Sequence, residues 1–290
     1  MEPLALPANL VAGAQRYGFE AWLASLPATV EALARRWSLS VGPPFQPGGC
    51  TAWVAPARGA DGTEAVLKVR WRHREGESEA DGLRFWDGDG TVTLYDHARF
   101  DDTAALLVER CTPGTALSAL PEPRQDDVIA ALLPRLWRAP PPGHVFGSLR
   151  SLCESWAAAL EDGAQRQVEA VDPGIVRRAV ELLRELPATA GDAVLLCTDL
   201  HAGNVLAARR EPWLVIDPKP FVGDPAYDAL QHMLNCPARL SSRPDALVAR
   251  LADLLDLDAQ RLRLWLFARC VWEARHTPGL LDVARVLAPR

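Results

Sequence analysis

Val194-Leu195-Leu196-Cys197-Thr198-Asp199-Leu200-His201-Ala202-Gly203-Asn204-Val205, followed by Leu214-Val215-Ile216-Asp217-Pro218-Lys219-Pro220, is the stretch on which the reading of this chain turns. Its apolar runs, Ala193 to Cys197, Val205 to Ala207 and Trp213 to Ile216, have the length of short strands. The polar residues between them fall at set intervals: Asn204 lies five positions after Asp199, and Asp217 eighteen. Asp199 is thereby expected on a loop, with Asn204 and Asp217 flanking a hairpin, so that all three can converge from one side on a single bound group. Aspartate and asparagine are ordinary loop formers, and any one of the three has that simpler explanation. Their common register does not.

Working outward, the chain changes texture part-way along. Val11 to Trp37 reads as a leading helical segment, with Pro27 at a first-turn position and Val30, Leu33 and Trp37 on one face. Strand-like runs follow at Thr51 to Ala57 and Thr63 to Arg70, joined through the hairpin signal Asp61-Gly62. Then come a helix from about Glu75 to Trp86 and strands at Thr91 to Tyr95 and Ala104 to Glu109. Cys111-Thr112-Pro113-Gly114 is a turn-rich break. Beyond it helices dominate, at Gln125 to Trp137, Leu149 to Glu161 and Asp172 to Leu186, and again after Asp224-Pro225 and Asp258, which suit N-caps. The expected fold is α+β in two lobes: residues 1–110, small and mostly β with the leading helical segment, and residues 111–290, larger and mostly α.

Composition bounds the function. Of 290 residues 49% are hydrophobic and 23% charged, ample for packed cores. A net charge of −6 argues against a general nucleic-acid or anionic-membrane binder and is compatible with a cationic substrate. The six cysteines lack the spacing of a zinc or redox pair and read as reduced, mostly buried thiols. Neither a secretory signal nor an apolar run of membrane-spanning length is seen, so the cytoplasm is the expected location. Among 31 basic residues only Lys68 and Lys219 are lysines. In a chain that defaults to arginine, a retained lysine marks a place where a planar guanidinium does not substitute for a compact ammonium.

The intervals of the opening stretch suit phosphoryl transfer, in which the protein holds the nucleophile in line and Mg²⁺ neutralises phosphate charge. Asp199 and Asn204 match the spacing of the kinase catalytic loop, an acceptor for the hydroxyl proton followed by a magnesium ligand. Asp217, closing a short apolar strand, stands where a kinase places its main magnesium-binding carboxylate. With these residues, and with Ala65-Val66-Leu67-Lys68-Val69, Glu79 to Trp86, Leu106-Leu107-Val108-Glu109-Arg110 and Ile216 to Asp228, the chain resembles the aminoglycoside phosphotransferases over nearly its whole length. It is most similar to the branch of streptomycin 6-phosphotransferases and hydroxyurea-resistance kinases. The resemblance implies a two-lobed protein-kinase-like fold, ATP (or GTP) with Mg²⁺, and phosphorylation of a hydroxyl on a small cationic acceptor, an aminocyclitol antibiotic of the streptomycin kind. Hydroxyurea or another small metabolite is the alternative acceptor. A catalytically silent binding module is the alternative class, and the retention of Lys68, Asp199, Asn204 and Asp217 speaks against it.

Through that family, Lys68 is the strand lysine that grips the α- and β-phosphates. Glu79, sharing a helix face with Leu83 and Trp86, is its carboxylate partner, while Glu75 and Glu77 are expected in solvent. Gly48, Gly49 and Thr51 occupy the place of the nucleotide-covering loop, or form a plain turn. Glu109 to Cys111 is the expected hinge whose main chain holds adenine. Cys197-Thr198 replaces the His-Gly common before the catalytic Asp, with Cys197 expected to pack. Asp217-Pro218-Lys219 replaces Asp-Phe-Gly, so Lys219 either reaches the transferring phosphate or covers the metal site. His201 is expected to support the loop rather than act as a base, and Asp228 to brace it through backbone hydrogen bonds. Gln231, Asn235 and Glu273 are the candidate acceptor contacts. His73 and His232 show no metal-ligand spacing, and the oligomeric state stays open.

Overall fold

The computed structural model describes residues 4–72, 77–164 and 172–289. His73 and Glu75 lie outside them. The chain divides into two compact units, Met1–Gly114 with Ala207–Leu214, and Thr115–Leu206 with Val215–Arg290. A single cut after residue 110 does not foresee the return of Ala207–Leu214 to the first unit.

In the first unit α1 (Ala8–Tyr17) and α2 (Glu20–Arg36) precede β1 (Leu39–Val41), β2 (Ala52–Gly59), β3 (Glu64–Trp71), α3 (Glu79–Trp86), β4 (Leu94–Arg99) and β5 (Thr103–Glu109). The strands make one antiparallel sheet in the order β1-β2-β3-β5-β4. Strand alternation gives the two faces of β3 different work. Leu67 and Val69 pack into a buried cluster with Leu10, Trp22, Leu26 and Leu33 of the leading helices, and Lys68 and Arg70 fall on the other face.

The leading segment is two helices rather than one. Gly18, at φ 74, sits in the left-handed region that glycine enters without penalty, and its N–H closes α1 on the Ala14 carbonyl. Pro27 lies inside α2 and not in its first turn. The helix survives because Trp22, Leu26, Val30 and Leu33 keep it docked by burial on both sides of the proline. β4 starts later than expected and carries a register shift between Leu94 and Asp96. As an edge strand with half its residues exposed, it lacks the alternation that marks a strand in sequence.

The second unit holds α4 (Glu122–Leu136), β6 (Gly147–Ser148), α5 (Leu149–Ala164), α6 (Pro173–Ala188) and β7 (Val194–Leu196). The hairpin β8 (Val205–Ala207) and β9 (Trp213–Val215) follows, its outer part counted with the first unit. Then come β10 (Phe221–Gly223), α7 (Pro225–Asp228), α8 (Leu230–Leu234), α9 (Pro237–Ser242), α10 (Pro244–Leu255), α11 (Ala259–Glu273) and α12 (Leu280–Leu287). Asp172, Asp224 and Asp258 cap their helices, each carboxylate accepting backbone N–H groups of the first turn. β6 and β10 are too short to read from sequence. β10 pairs antiparallel with β7 and parallel with β6, and this small sheet presents the loop after β7. α11 is buried over most of its circumference, with Leu262, Trp265, Leu266 and Phe267 in the core. Among the described residues no helix is long and apolar enough to cross a membrane.

Candidate active site

The loop after β7 starts from a fixed base, because Leu195, Leu196 and Cys197 are fully buried. Thr198 (φ 51) and Asp217 (φ 54) both sit in the left-handed region, which side chains with a Cβ enter only when the surroundings enforce it. Asp228, itself fully buried, is part of that enforcement. Its Oδ2 accepts the Cys197 N–H at 2.9 Å and the Trp137 indole N–H at 3.1 Å, and its Oδ1 accepts the Thr198 N–H at 2.6 Å. Burial pushes the Asp228 carboxyl up to about 6, with these donors pulling the other way. The segment after Asp217 is tied to the same place: the Lys219 N–H donates to the Cys197 carbonyl at 2.9 Å, and the Thr198 hydroxyl donates to the Lys219 carbonyl.

Asn204 links the loop to the hairpin. Its side-chain Nδ2 donates to the Asp199 carbonyl at 3.0 Å, its N–H to the His201 carbonyl at 2.8 Å, and its own carbonyl accepts the Ile216 N–H at 2.9 Å. Asp217 therefore follows directly on a residue bonded to Asn204. Anchored through nitrogen, the Asn204 amide keeps Oδ1 as its acceptor end. An amide oxygen and a carboxylate are hard ligands of the kind Mg²⁺ takes when phosphate oxygens complete its shell. Among the described residues no cluster of three or more His, Cys, Asp and Glu could hold a metal unaided. Asn204 Oδ1 and the Asp217 carboxylate are donors of the kind such a cation takes.

His201 Nδ1 accepts the Gly203 N–H at 3.1 Å. Burial lowers the imidazole pKa although Asp199 raises it, so the ring is neutral at pH 7 and spends its acceptor on the loop. Lys219 Nζ lies 2.8 Å from Asp199 Oδ2, a partner that neither sequence expectation for Lys219 foresaw. His232 is buried against Asp126 at 2.9 Å, and Asp126 also accepts from Arg239 and Arg250.

In the first unit Lys68 Nζ donates to Glu79 Oε1 at 2.7 Å, both groups buried. Arg70 Nε stands 3.6 Å from the other oxygen, Oε2. Glu77 is not simply solvated, since its carboxylate pairs with Arg72 at 2.9 Å. The Gly48-Gly49-Cys50-Thr51 stretch joins β1 to β2. Gly48 (φ 76) is accounted for by close packing: a Cβ there would fall 2.5 Å from Pro7 Cβ, and Asn9 Nδ2 donates to the Gly48 carbonyl at 3.0 Å. A Cβ on Gly49 would meet only the Ala52 carbonyl, at 3.8 Å. The Thr51 carbonyl accepts the Trp71 N–H at 3.0 Å, extending the β2–β3 ladder.

At the expected hinge, the Glu109 N–H donates to the Thr93 carbonyl at 2.8 Å. The Glu109 carboxylate takes Arg210 Nη2 at 2.9 Å and both the N–H and the hydroxyl of Thr93 at 3.1 Å. Arg210 donates as well to the carbonyls of Gly88 and Thr91, each at 2.8 Å. Burial opposes ionisation of Glu109, but these donors outweigh it and hold the carboxyl below its usual range. Burial, and then the Glu109 charge, push the Cys111 thiol up to about 11, so it stays protonated at neutral pH.

The three acceptor candidates part company. Gln231 Oε1 and Glu273 Oε1 both meet Arg269, at 3.4 and 2.9 Å. Arg269 is buried with its guanidinium over the rings of Trp156 and Tyr227, at 4.6 and 5.6 Å. Asn235 instead turns its Nδ2 back to the Gln231 carbonyl at 2.8 Å, closing its own helix. Sequence reasoning passed over Arg70, Arg210 and Arg269. The position of Arg70 two residues from Lys68 was a usable signal, but one arginine among 29 does not stand out. Arg210 had none, its partner Glu109 being 101 positions away.

The whole pattern has relatives. A hydroxyurea phosphotransferase from Kitasatospora aureofaciens is 38% identical, aligned over 92% of this chain and 80% of its own. A streptomycin 6-kinase from Streptomyces glaucescens is 35% identical over 97% and 94% of the two chains. Among solved structures, macrolide 2'-phosphotransferase type I superposes with a TM-score of 0.57 at 18% identity, covering 91% of this chain and 97% of the other, which establishes the protein-kinase-like fold. Residues 36–277 match the family described as aminoglycoside/hydroxyurea antibiotic resistance kinase. With a sheet unit carrying the Lys68–Glu79 pair, a helical unit carrying the Asp199 loop, and that match across most of its length, the chain belongs to the aminoglycoside/hydroxyurea antibiotic resistance kinases and is a phosphotransferase.

Proposed function

We propose that this enzyme transfers the terminal phosphoryl group of ATP to a ring hydroxyl of a cationic aminocyclitol antibiotic of the streptomycin type. The observation that carries the reading is the loop itself: the Asn204 side chain donates to the Asp199 carbonyl, the Asn204 carbonyl accepts the N–H of Ile216 next to Asp217, and Asp228 holds the loop amides. Asp199 accepts the proton of the acceptor hydroxyl, whose oxygen forms the new bond to phosphorus as the bond to the bridging oxygen of ADP breaks. Lys219 fixes Asp199 Oδ2 and so leaves Oδ1 for the acceptor. Asn204 and Asp217 hold the magnesium ion that accompanies the nucleotide, and Lys68, set by Glu79, holds phosphate oxygens. Mg²⁺, when bound, neutralises phosphate charge as the group moves. The six free thiols suit a reducing compartment, and the cytoplasm is the proposed location.

Hydroxyurea is the second reading, supported by the pairing of Glu273 with Arg269, which leaves that carboxylate less free to greet a cation. The test sets purified enzyme with ATP, and separately with GTP, against streptomycin, other aminoglycosides and hydroxyurea, and follows gain of one phosphoryl group by mass spectrometry. Streptomycin turned over well ahead of hydroxyurea is the expected result. Product from an uncharged compound alone overturns the aminocyclitol reading and leaves the kinase chemistry standing.

A further inference from the structure

Arg70 lies on β3 two positions from Lys68, and so on the same face of the strand. It is 4% exposed. A guanidinium fits there because its cross-strand neighbours are small, Ala52 on β2 and Ala104 on β5. The Glu79 carboxylate is addressed by two cations, one at each oxygen: Lys68 Nζ hydrogen-bonds Oε1 at 2.7 Å and Arg70 Nε stands 3.6 Å from Oε2. All three groups are buried.

The two cations differ in what they can do. The lysine ammonium is a compact group with three donors on a flexible stem, able to turn toward a phosphate while keeping one donor on Glu79. The arginine is rigid and permanently charged, and at 3.6 Å it acts on Glu79 by charge rather than by a hydrogen bond. A buried carboxylate is strongly disfavoured when its partner is drawn away. We propose that Arg70 is a positioning residue for the Lys68–Glu79 pair: it holds the Oε2 side of Glu79 so that the carboxylate stays in place when Lys68 turns to the nucleotide phosphates. Binding energy of the nucleotide then goes into the complex instead of into reorganising Glu79. The inference rests on the proposed role of Lys68 toward ATP.

The test compares full-length wild type, Arg70→Met and Arg70→Lys, each alone and combined with Glu79→Gln, by calorimetric titration with MgATP and by steady-state kinetics, with thermal unfolding alongside. Arg70→Met should weaken MgATP binding about tenfold and raise the KM for ATP in step, while kcat changes less than about threefold. Arg70→Lys, which keeps the charge, should recover most of that loss. In the Glu79→Gln background the effect of Arg70→Met should shrink to less than about threefold, because no carboxylate charge remains to be held. Binding by Arg70→Met within about twofold of wild type overturns the proposal, as does a full loss that persists in the Glu79→Gln background, the signature of packing alone. If Arg70→Met does not fold, Arg70→Gln against Arg70→Lys carries the same comparison, and equal affinities overturn it. A wild-type protein that binds no MgATP fails the proposed function itself, before any variant is read.

Discussion

Replacing Asp228 by asparagine separates what this buried carboxylate does for the loop from what it does for stability. Its two oxygens accept three donors, from Cys197, Thr198 and Trp137, with the side chain fully buried. The nearest analogue of asparagine is the protonated acid, since each offers one carbonyl-type acceptor. Turned toward Cys197 and Trp137, that oxygen keeps two of the three bonds, and the Thr198 N–H is left facing a donor. Because burial raises the carboxyl to about 6 from 3.8, carrying it ionised at pH 7 costs the folded state about 3 kcal/mol, which asparagine avoids. Against that, the extra amide N–H of asparagine goes unpaired in a buried place, at about 1–3 kcal/mol. The two nearly cancel, so Asp228→Asn should fold with a Tm within about 6 °C of wild type at pH 7. The loop does not share in the cancellation: Thr198, held at φ 51, loses its acceptor, and kcat should fall by about 10- to 100-fold.

The sign of the pH dependence follows from the same carboxyl. A folded-state pKa raised above the unfolded one gives a contribution fully present below about pH 4 and lost as the pH rises through about 6. Asparagine does not titrate there, so the variant should gain on wild type between pH 4 and 7. Urea unfolding of both proteins across that window, with kinetics at pH 7.5, measures the two effects separately. Wild type gaining on the variant as pH rises would refute the reasoning, because the backbone donors would then outweigh burial. So would a kcat within about twofold of wild type.

Lys219→Met removes the partner of Asp199 and should lower kcat about tenfold or more with little change in the KM for ATP, and a kcat within about twofold would remove Lys219 from the orientation of Asp199. Asp199→Asn should lower kcat by about 10³ with MgATP binding nearly intact, whereas Asp217→Asn should weaken that binding about tenfold; equal calorimetric losses in the two would undo the division of roles. Arg210→Ala strips the donor shared by Glu109, Gly88 and Thr91 and should cost about 2 kcal/mol, seen as a Tm lower by about 4–8 °C, and an unchanged Tm would mean that solvent screens the cluster.

What sequence could show and what it could not follow from how far apart the determinants lie. The expected strands Thr51 to Ala57 and Thr63 to Arg70 coincide with β2 and β3 within two residues at each end, because apolar alternation and the Asp61-Gly62 turn are local signals. Edge strand β4 was expected at Thr91 to Tyr95 but runs Leu94–Arg99, displaced for want of a buried face, and the three-residue β10 escaped for want of length. The loop residues Asp199, Asn204 and Asp217 were legible because their spacing is written in one short stretch. The forces that hold them are not local: Asp228 reaches back to Trp137, 91 positions away. Lys219 was singled out by lysine scarcity, yet its contact with Asp199 needed the fold of the turn between them.

The acceptor side shows the same limit from the other direction. Gln231, Asn235 and Glu273 were chosen as polar residues on helices, and what such a residue recognises depends on what already occupies it. Glu273 and Gln231 converge on Arg269, and the Arg269 guanidinium lies over the rings of Trp156 and Tyr227. A carboxylate already paired with a buried guanidinium must share or surrender that pair before it can hold the cation of an incoming drug, and surrender would strand Arg269 in an apolar place. A cationic acceptor therefore gains less from Glu273 than it would from an unpaired carboxylate, and a neutral acceptor loses nothing. On the proposed aminocyclitol reading, charge at Glu273 therefore contributes little to selectivity over a small neutral hydroxyl compound. For the same reason Glu273→Gln is a poor probe of charge recognition in this enzyme, because its first effect falls on Arg269.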